Sequence, residues 1–324
     1  MQHSNILVIG GAGFIGRHIV SRLTARGLRV TVPTRRRARA RHLIMLPTID
    51  VVECDVHDDV VLSQLIQDKD AVVNLIGVLH GSRGRSDSCY GPEFAKAHVE
   101  LPRRIVAMCG KHGVRRMLHM SSMGADSNGP SMYQRSKGDG DSIVQASNLD
   151  WTIFRPSVVF GPEDNFLNMF ATLAKFFPVL PIGCANARFQ PVWVGDVADA
   201  FVAALDNRET FRRIYELAGP HIYRLRDLVA FAAAASGNPR PVLGMPDALA
   251  RVQAMLMEIM PGEPLMSRDN LDSMKVDNVA TEQPFKPAPE LGIGLTPMEV
   301  EAPAYLSRAH SRSRFGLYRA RAGR

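Results

Sequence analysis

Segments in which nearly every position is apolar alternate with segments whose apolar residues recur at helical spacing, repeating about every 20–25 residues through the N-terminal half. NILVI leads into FIGRHIVSRLTARG, LRVTV into a helix through HLIML, IDVVEC into DDVVLSQLIQD, and AVVNLIG into EFAKAHVELPRRIVAMCGKHG, before VRRMLHMSS and DWTIFRPS. Strands that are apolar almost throughout belong to a sheet covered on both faces, and β/α alternation builds such sheets parallel. The pattern predicts an α/β protein with a Rossmann-type doubly wound parallel sheet.

The texture changes after Phe160, where Pro162, Pro178 and Pro181 interrupt an apolar stretch before PVWVGDVADAFVAAL restores a strand and a helix. We therefore expect a first domain over residues 1–160, completed by about 188–210, and a smaller mixed domain from 161–187 and 211–306 that closes over it. In the latter, ALARVQAMLMEIM places Leu249, Val252, Leu256 and Ile259 on one stripe with methionines at its edges. The stripe predicts a lid packed on a cleft, with methionines suited to an adaptable apolar ligand. EQPFKPAPELGIGLTP reads as loop.

Composition adds little until its charge is located. The 324 residues carry 39 basic and 32 acidic side chains, but six of the arginines fall in the last eighteen residues, SRAHSRSRFGLYRARAGR, which hold no acid. Without those six the balance is 33 to 32, so the body offers no general basic surface for specific nucleic-acid binding. The 307–324 tail reads as a solvated, disordered end, a contact for an acidic partner, or an anchor to anionic lipid. Cys54, Cys89, Cys109 and Cys184 show no metal-ligand spacing and suit reduced thiols, so no metal is expected. With no leader-like N-terminal segment and no membrane-length apolar run, the expected location is the cytoplasm, peripheral to a membrane if the tail binds lipid.

Chemistry is concentrated in three places. IGGAGFIGRH sets Gly10, Gly13 and Gly16 between the first strand and its helix, so Gly10 permits the tight turn, Gly13 lets a pyrophosphate approach, and Gly16 allows close packing. Phe14 and Ile15 open the helix beside that group. The second strand ends VTVPTRRRARAR, with Arg35, Arg36 and Arg37 in place of an acid, and Arg17 follows the last motif glycine. Arginine there suits a 2′-phosphate, so NADP(H) is favoured over NAD(H). Asp55 and Val56, after the third strand, would bracket an adenine. In SMYQRSKGDG, Ser131 is a candidate N-cap and Tyr133 and Lys137 share a helical face four residues apart. A phenol with an ordinary pKa of about 10 is a weak base at neutral pH, and an ammonium beside it would lower that value. Ser122, at a strand end, would orient a carbonyl or hydroxyl.

In this order GxxGxxG, Ser122, YxxxK and RPSVVFG resemble the motifs of the short-chain dehydrogenase/reductase superfamily, in its extended and atypical branches, over about residues 5–235. The resemblance implies that Tyr133 is the acid/base and that Lys137 binds the nicotinamide ribose and lowers the tyrosine pKa. It also places Leu75, Ile76, Gly77, Pro156 and Val159 along the cofactor. More narrowly, VVNLIGVLHG, HMSSMGAD, RPSVVFGPEDNFLN and QPVWVGDVADAF are similar to the group named for the nucleotide-binding accessory subunit of respiratory complex I, with its bacterial relatives. That resemblance carries both a reductase reading, with quinone metabolism as one association, and a non-catalytic, assembly-type reading. Ser122 continues into Met123, Gly124 and Ala125 where sugar-nucleotide epimerases and dehydratases carry a VYG-type segment, which makes an epimerase the weaker alternative. His98 stands where many members have a proton-relaying Asn, and Gly138 and Gly140 sit in the YxxxK helix at about 1 kcal/mol each relative to Ala. Close approach of the cofactor or of a neighbouring element would explain both glycines.

Overall fold

The computed structural model describes residues 3–82, 89–259 and 264–307. Residues 83–88 and the arginine-rich tail from 308 onward lie outside the described residues. Seven strands form one sheet: β1 Asn5–Ile9, β2 Arg29–Thr34, β3 Ile49–Glu53, β4 Ala71–Asn74, β5 Arg116–Met120, β6 Asp150–Pro156 and β7 Arg213–Leu217. The order across the sheet is β7-β6-β5-β4-β1-β2-β3 and every pairing is parallel. The direction of winding reverses between β1 and β4, which opens a crevice at the carboxyl ends of the strands.

Alternate strand residues sort to opposite faces, as the pleat requires. Ile6 and Val8 join Val30, Leu118 and Phe154 under α1 Phe14–Ala25 and a helix at Val194–Ala204, while Leu7 and Ile9 join Val72, Met117 and Ile153 on the other face. The second face is covered by α2 Asp59–Ile66, α3 Leu101–His112 and α4 Met132–Gln145. Three further helices, α5 Leu167–Phe176, α7 Leu225–Ala235 and α10 Met298–Leu306, enclose a core around Phe160, Phe170, Leu228 and Ala302, with Val194–Ala204 numbered α6. Between α7 and α10 lie α8 Asp247–Ile259 and α9 Arg268–Ser273.

Three expectations change. No α-helix runs through HLIML: the β2–β3 connection is a short 3₁₀ turn at Arg37–Ala40 followed by turns, in which Leu43 is buried but Met45 is exposed. Crowded arginines and apolar residues without helical spacing leave no stripe for a helix to bury. The segment from 211 does not lie wholly outside the large sheet, because β7 is its edge strand, paired along Arg213–Leu217 with β6. The α8 stripe is turned outward, since Leu249, Val252, Leu256 and Ile259 are all exposed whereas Ala250 and Ala254 are buried against Leu271. Helical periodicity identifies the stripe but cannot say which side meets the protein.

One buried cation ties β5 to the later chain. The Arg116 guanidinium donates to the carbonyls of Leu205 (2.9 Å), Ala204 (2.5 Å) and Asp150 (2.6 Å) and to Thr210 Oγ1 (3.2 Å), and it covers the Phe211 ring at 4.5 Å. Arg116→Met would leave those buried acceptors without a donor, so urea unfolding should show a loss of about 3 kcal/mol. A loss below about 1 kcal/mol would mean that water replaces the guanidinium.

Candidate functional site

At the carboxyl end of β1 the backbone turns sharply through Gly10, whose φ of +86° is left-handed. Its missing side chain also matters, because a Cβ would lie 3.2 Å from Leu75. Gly16 packs closer still, with a Cβ position overlapping the backbone of Gly10 and Gly11. Gly13 is exposed and caps α1 without any side-chain hydrogen bond, and no acid occupies the first turn. The free N–H groups and positive end of α1 therefore face the crevice, an arrangement that suits a pyrophosphate. Phe14 does not enter that space: it lies against Gly161, where a Cβ would come within 3.0 Å of its ring, and Ile15 packs on the sheet core.

Arg35 and Arg36 are exposed beyond β2, and Arg35 is near enough to Asp55 to help hold that carboxyl below its ordinary range, behind the larger effect of the His57 N–H. Asp55 and the buried Val56 thus sit at the β3 end beside the arginine cluster. Arg17 differs from the expectation of a free phosphate ligand, because its Nη1 lies 3.2 Å from Glu163 Oε1. The β2–β3 register also sets Glu53 opposite Thr34, so an acid does approach the end of β2; its carboxylate accepts the Arg37 N–H at 3.1 Å.

The third group assembles at the ends of β4, β5 and β6. Ser131 and Gln134 form a reciprocal capping box at the start of α4, with Gln134 N–H donating to Ser131 Oγ at 3.1 Å. The two N–H groups ahead of it are taken by Asp269 of α9, whose oxygens accept from Met132 (2.7 Å) and Tyr133 (3.1 Å). One turn on, the buried Lys137 donates from Nζ to Met120 O at 3.1 Å and lies against Gly77, where a Cβ would be 3.3 Å from Nζ. Leu75–Gly77, Ser122 and Lys137 are thereby brought together. Pro156 joins them through its carbonyl, which accepts the Met123 N–H at 2.9 Å, while Val159 pairs beyond it with Val192.

The glycines of α4 are explained by protein rather than cofactor. A Cβ on Gly138 would strike the Asp126–Ser127 backbone, and one on Gly140 would strike the His98 carbonyl. His98 stands in a widened π-helical turn, Ala95–Glu100, that continues into α3. Its ring is fully engaged: Nε2 accepts the Val78 N–H at 3.0 Å, and Nδ1 lies 2.8 Å from Ser136 Oγ, which itself donates to Tyr133 O at 2.9 Å. The pattern requires the Nδ1–H tautomer, and burial followed by the Lys137 charge lowers the pKa to about 2. His98 is a neutral scaffold for the loop after Gly77, not a proton relay.

Electrostatics depart from the expected tyrosine–lysine pairing. Burial raises the Tyr133 pKa above its ordinary value; Ser122 works against that and the Asp141 charge works with it. Burial brings Lys137 down to about 8, opposed by Asp141. Asp141, one further turn along α4, is buried with Arg155 Nε 2.9 Å and Nη2 2.8 Å from its Oδ2. Its Oδ1 has no hydrogen-bond partner and faces a neutral His119, whose Nε2 is 3.9 Å away. The Ser121 and Ser122 hydroxyls make no hydrogen bond of good geometry, yet each is close enough to favour the charged form of Asp141 and Tyr133 respectively. No group of three His, Cys, Asp or Glu able to hold a metal occurs among the described residues.

A model of the NAD dependent epimerase/dehydratase family matches residues 6–218, which span the crevice and every strand of the sheet. The chain belongs to that family. This family member is 29% identical, over 93% of its length and 79% of the relative's, to the mitochondrial NADH dehydrogenase (ubiquinone) 1 alpha subcomplex subunit 9 of Rattus norvegicus. It is 27% identical to a ceramide reductase of Caulobacter vibrioides, over 61% of this chain and 60% of that one. Among solved structures, the UDP-glucose 4-epimerase of Thermus thermophilus in complex with NAD shares the fold, with a TM-score of 0.62 at 22% identity over 84% of this chain and 99% of that one.

Sequence reasoning about this epimerase/dehydratase relative missed Asp141, Arg155, Asp269 and Asn278. Asn278 Oδ1 accepts from Ser157 Oγ (2.6 Å) and Val158 N–H (3.1 Å), which fixes the segment after β6. Only Asp141 carried a local signal, at helical spacing from Lys137; the others act from more than a hundred residues away or from a neighbouring strand. Asp269→Ala removes the acceptor for two N–H groups and should cost about 1–2 kcal/mol in thermal unfolding, with faster amide exchange at Met132 and Tyr133. Lys137 yields a pH test. The unfolded chain keeps that proton up to the ordinary lysine value of 10.5, whereas the folded site releases it near 8, so folding stability should rise between those values. Stability curves measured from pH 8 upward should lose that rise in Lys137→Met; identical slopes would refute it.

Proposed function

We propose that this chain is an NADP(H)-binding reductase or dehydrogenase in which Tyr133 is the proton donor or acceptor at a carbonyl or quinone-type oxygen. The observation that carries the reading is the convergence of the buried Ser122 and Lys137 with the half-buried Tyr133 at the carboxyl ends of the strands, on the same edge of the sheet as the glycine turn and the uncapped start of α1. When bound, the nicotinamide supplies or accepts the hydride. Gly10, Gly13 and the α1 N-terminus would hold its pyrophosphate, Arg35 and Arg36 a 2′-phosphate, Asp55 and Val56 the adenosine side, and Lys137 with Leu75–Gly77 the nicotinamide side.

Tyr133 acts first as an acid. Its raised pKa keeps the phenol protonated at neutral pH, so reduction is the direction for which the resting site is prepared. Ser122 has an unused hydroxyl with which to orient the substrate oxygen beside that phenol. Lys137, near half-protonation around pH 8, is a positive charge that strengthens as pH falls below that value. An apolar substrate is supported by the relatives, a ceramide reductase and a ubiquinone-linked subunit.

A second reading has its own support in the likeness to a respiratory-chain subunit across 93% of this chain: the nucleotide is a structural ligand in an assembly. Tyr133→Phe separates the two. In the enzyme, hydride transfer to an apolar aldehyde, ketone or short-chain quinone should fall by about 10²-fold or more while NADPH affinity is kept. If wild type and variant bind NADPH equally and neither oxidises it with any acceptor, the structural reading replaces ours. Charge reversal at Arg35 and Arg36 should weaken NADPH at least about tenfold, in a fluorescence titration, and NADH little. Replacement of Arg17, already paired with Glu163, should matter less.

A further inference from the structure

Helix α8 is built inside out. Its large apolar side chains face solvent, with relative exposures of 74% at Ile259, 58% at Leu256, 55% at Leu249, 52% at Val252 and 42% at Met255. Its small residues Ala250 and Ala254 face the protein, and two of its charges pair with α9: Arg251 Nη2 meets Asp272 at 2.6 Å, and Glu258 Oε2 meets Arg268 Nη2 at 2.6 Å. A helix in a water-soluble surface normally orients the other way, with its apolar stripe in the core and its charges outside. Here the ion pairs with α9 hold the apolar face away from the protein.

We propose that the outer face of α8 docks on an anionic lipid surface, its apolar side chains entering the boundary between headgroups and acyl chains. Charge favours this occupant. The body of the chain is nearly neutral, while the six arginines after Ser307 are unaccompanied by any acid and follow directly on α10. α10 buries Met298, Ala302 and Leu306 in the C-terminal core, and Met274, just past α9, packs on both that core and the small cluster beneath α8. The apolar ridge and α10, from whose end the basic sequence continues, therefore belong to one layer, and a short apolar anchor joined in sequence to a polybasic one is the combination that holds a protein on a membrane. Area disfavours a second copy: a 13-residue helix is about 20 Å long and offers roughly 200 Å² in outline, well short of the about 800 Å² per partner of a stable interface. Two like tails would also repel.

The test is flotation of the full chain with vesicles of phosphatidylcholine alone and of phosphatidylcholine with an equal part of phosphatidylglycerol. Wild type should float with the anionic vesicles. Leu256→Glu with Ile259→Glu, at exposed positions that leave the fold and its melting temperature unchanged, should weaken that binding at least about tenfold. Deletion after Ser307 should weaken it too and abolish the preference for anionic lipid. Failure of wild type to bind, or undiminished binding by the double variant, overturns the proposal. So does a wild-type dimer in sedimentation that the double variant dissolves, which would assign the face to a second copy.

Discussion

The burial of one charged face of α4 is the constraint around which the site is arranged. Lys137 and Asp141 sit one turn apart, both out of water, and a buried charge is tolerated only where partners replace its hydration. Arg155 answers Asp141, and the Met120 carbonyl answers Lys137. Close approach makes this enclosure possible: Gly138 and Gly140 let α4 settle onto the Asp126–Ser127 backbone and the His98 carbonyl at distances that alanine would forbid. The helix start is held as firmly, with three successive N–H groups taken by Asp269 and Ser131.

Dryness then decides what the site can do. An exposed tyrosine four residues from a lysine would be a surface pair with ordinary titration. Enclosure holds the phenol in its acid form, brings the Lys137 pKa down to about 8, and leaves the Ser122 hydroxyl beside the phenol without a hydrogen bond of good geometry. The same enclosure silences His98, since an imidazole that accepts from Val78 and spends its proton on Ser136 has nothing left to relay. In the proposed reaction that leaves the tyrosine and the lysine to handle the proton.

Features carried by neighbouring residues are legible in the amino-acid sequence. The glycine turn, the Ser131 cap and the parallel strand pattern all depend on contacts within a few positions, where residue type and spacing are enough. Legibility fails where a partner arrives from far along the chain. Nothing near Tyr133 announces Asp269, nothing near Arg17 announces Glu163, and the approach of Glu53 to the end of β2 depends on a strand register that composition does not encode. The α8 stripe shows another limit, because hydrophobic periodicity reports that a helix has two faces and stays silent on which one the fold will use. At Tyr133 the spacing marks the residue but not its titration, since burial, Ser122 and Asp141 set its proton affinity where Lys137 was expected to.

The place of β7 has a consequence for how this protein can be divided. The strand that completes the sheet comes from residues 213–217, and the acceptors that satisfy the buried Arg116 lie at 204, 205 and 210. A chain ended near residue 160 would keep every nucleotide motif yet expose the unpaired edge of β6 along Thr152–Pro156 and strip Arg116 of its cover and of every acceptor but the Asp150 carbonyl. Such a fragment should associate through that edge rather than fold as a smaller version of the whole. Evolution could exchange the outer helices of the C-terminal layer freely, but it could not detach the half of the chain that looks dispensable for nucleotide binding.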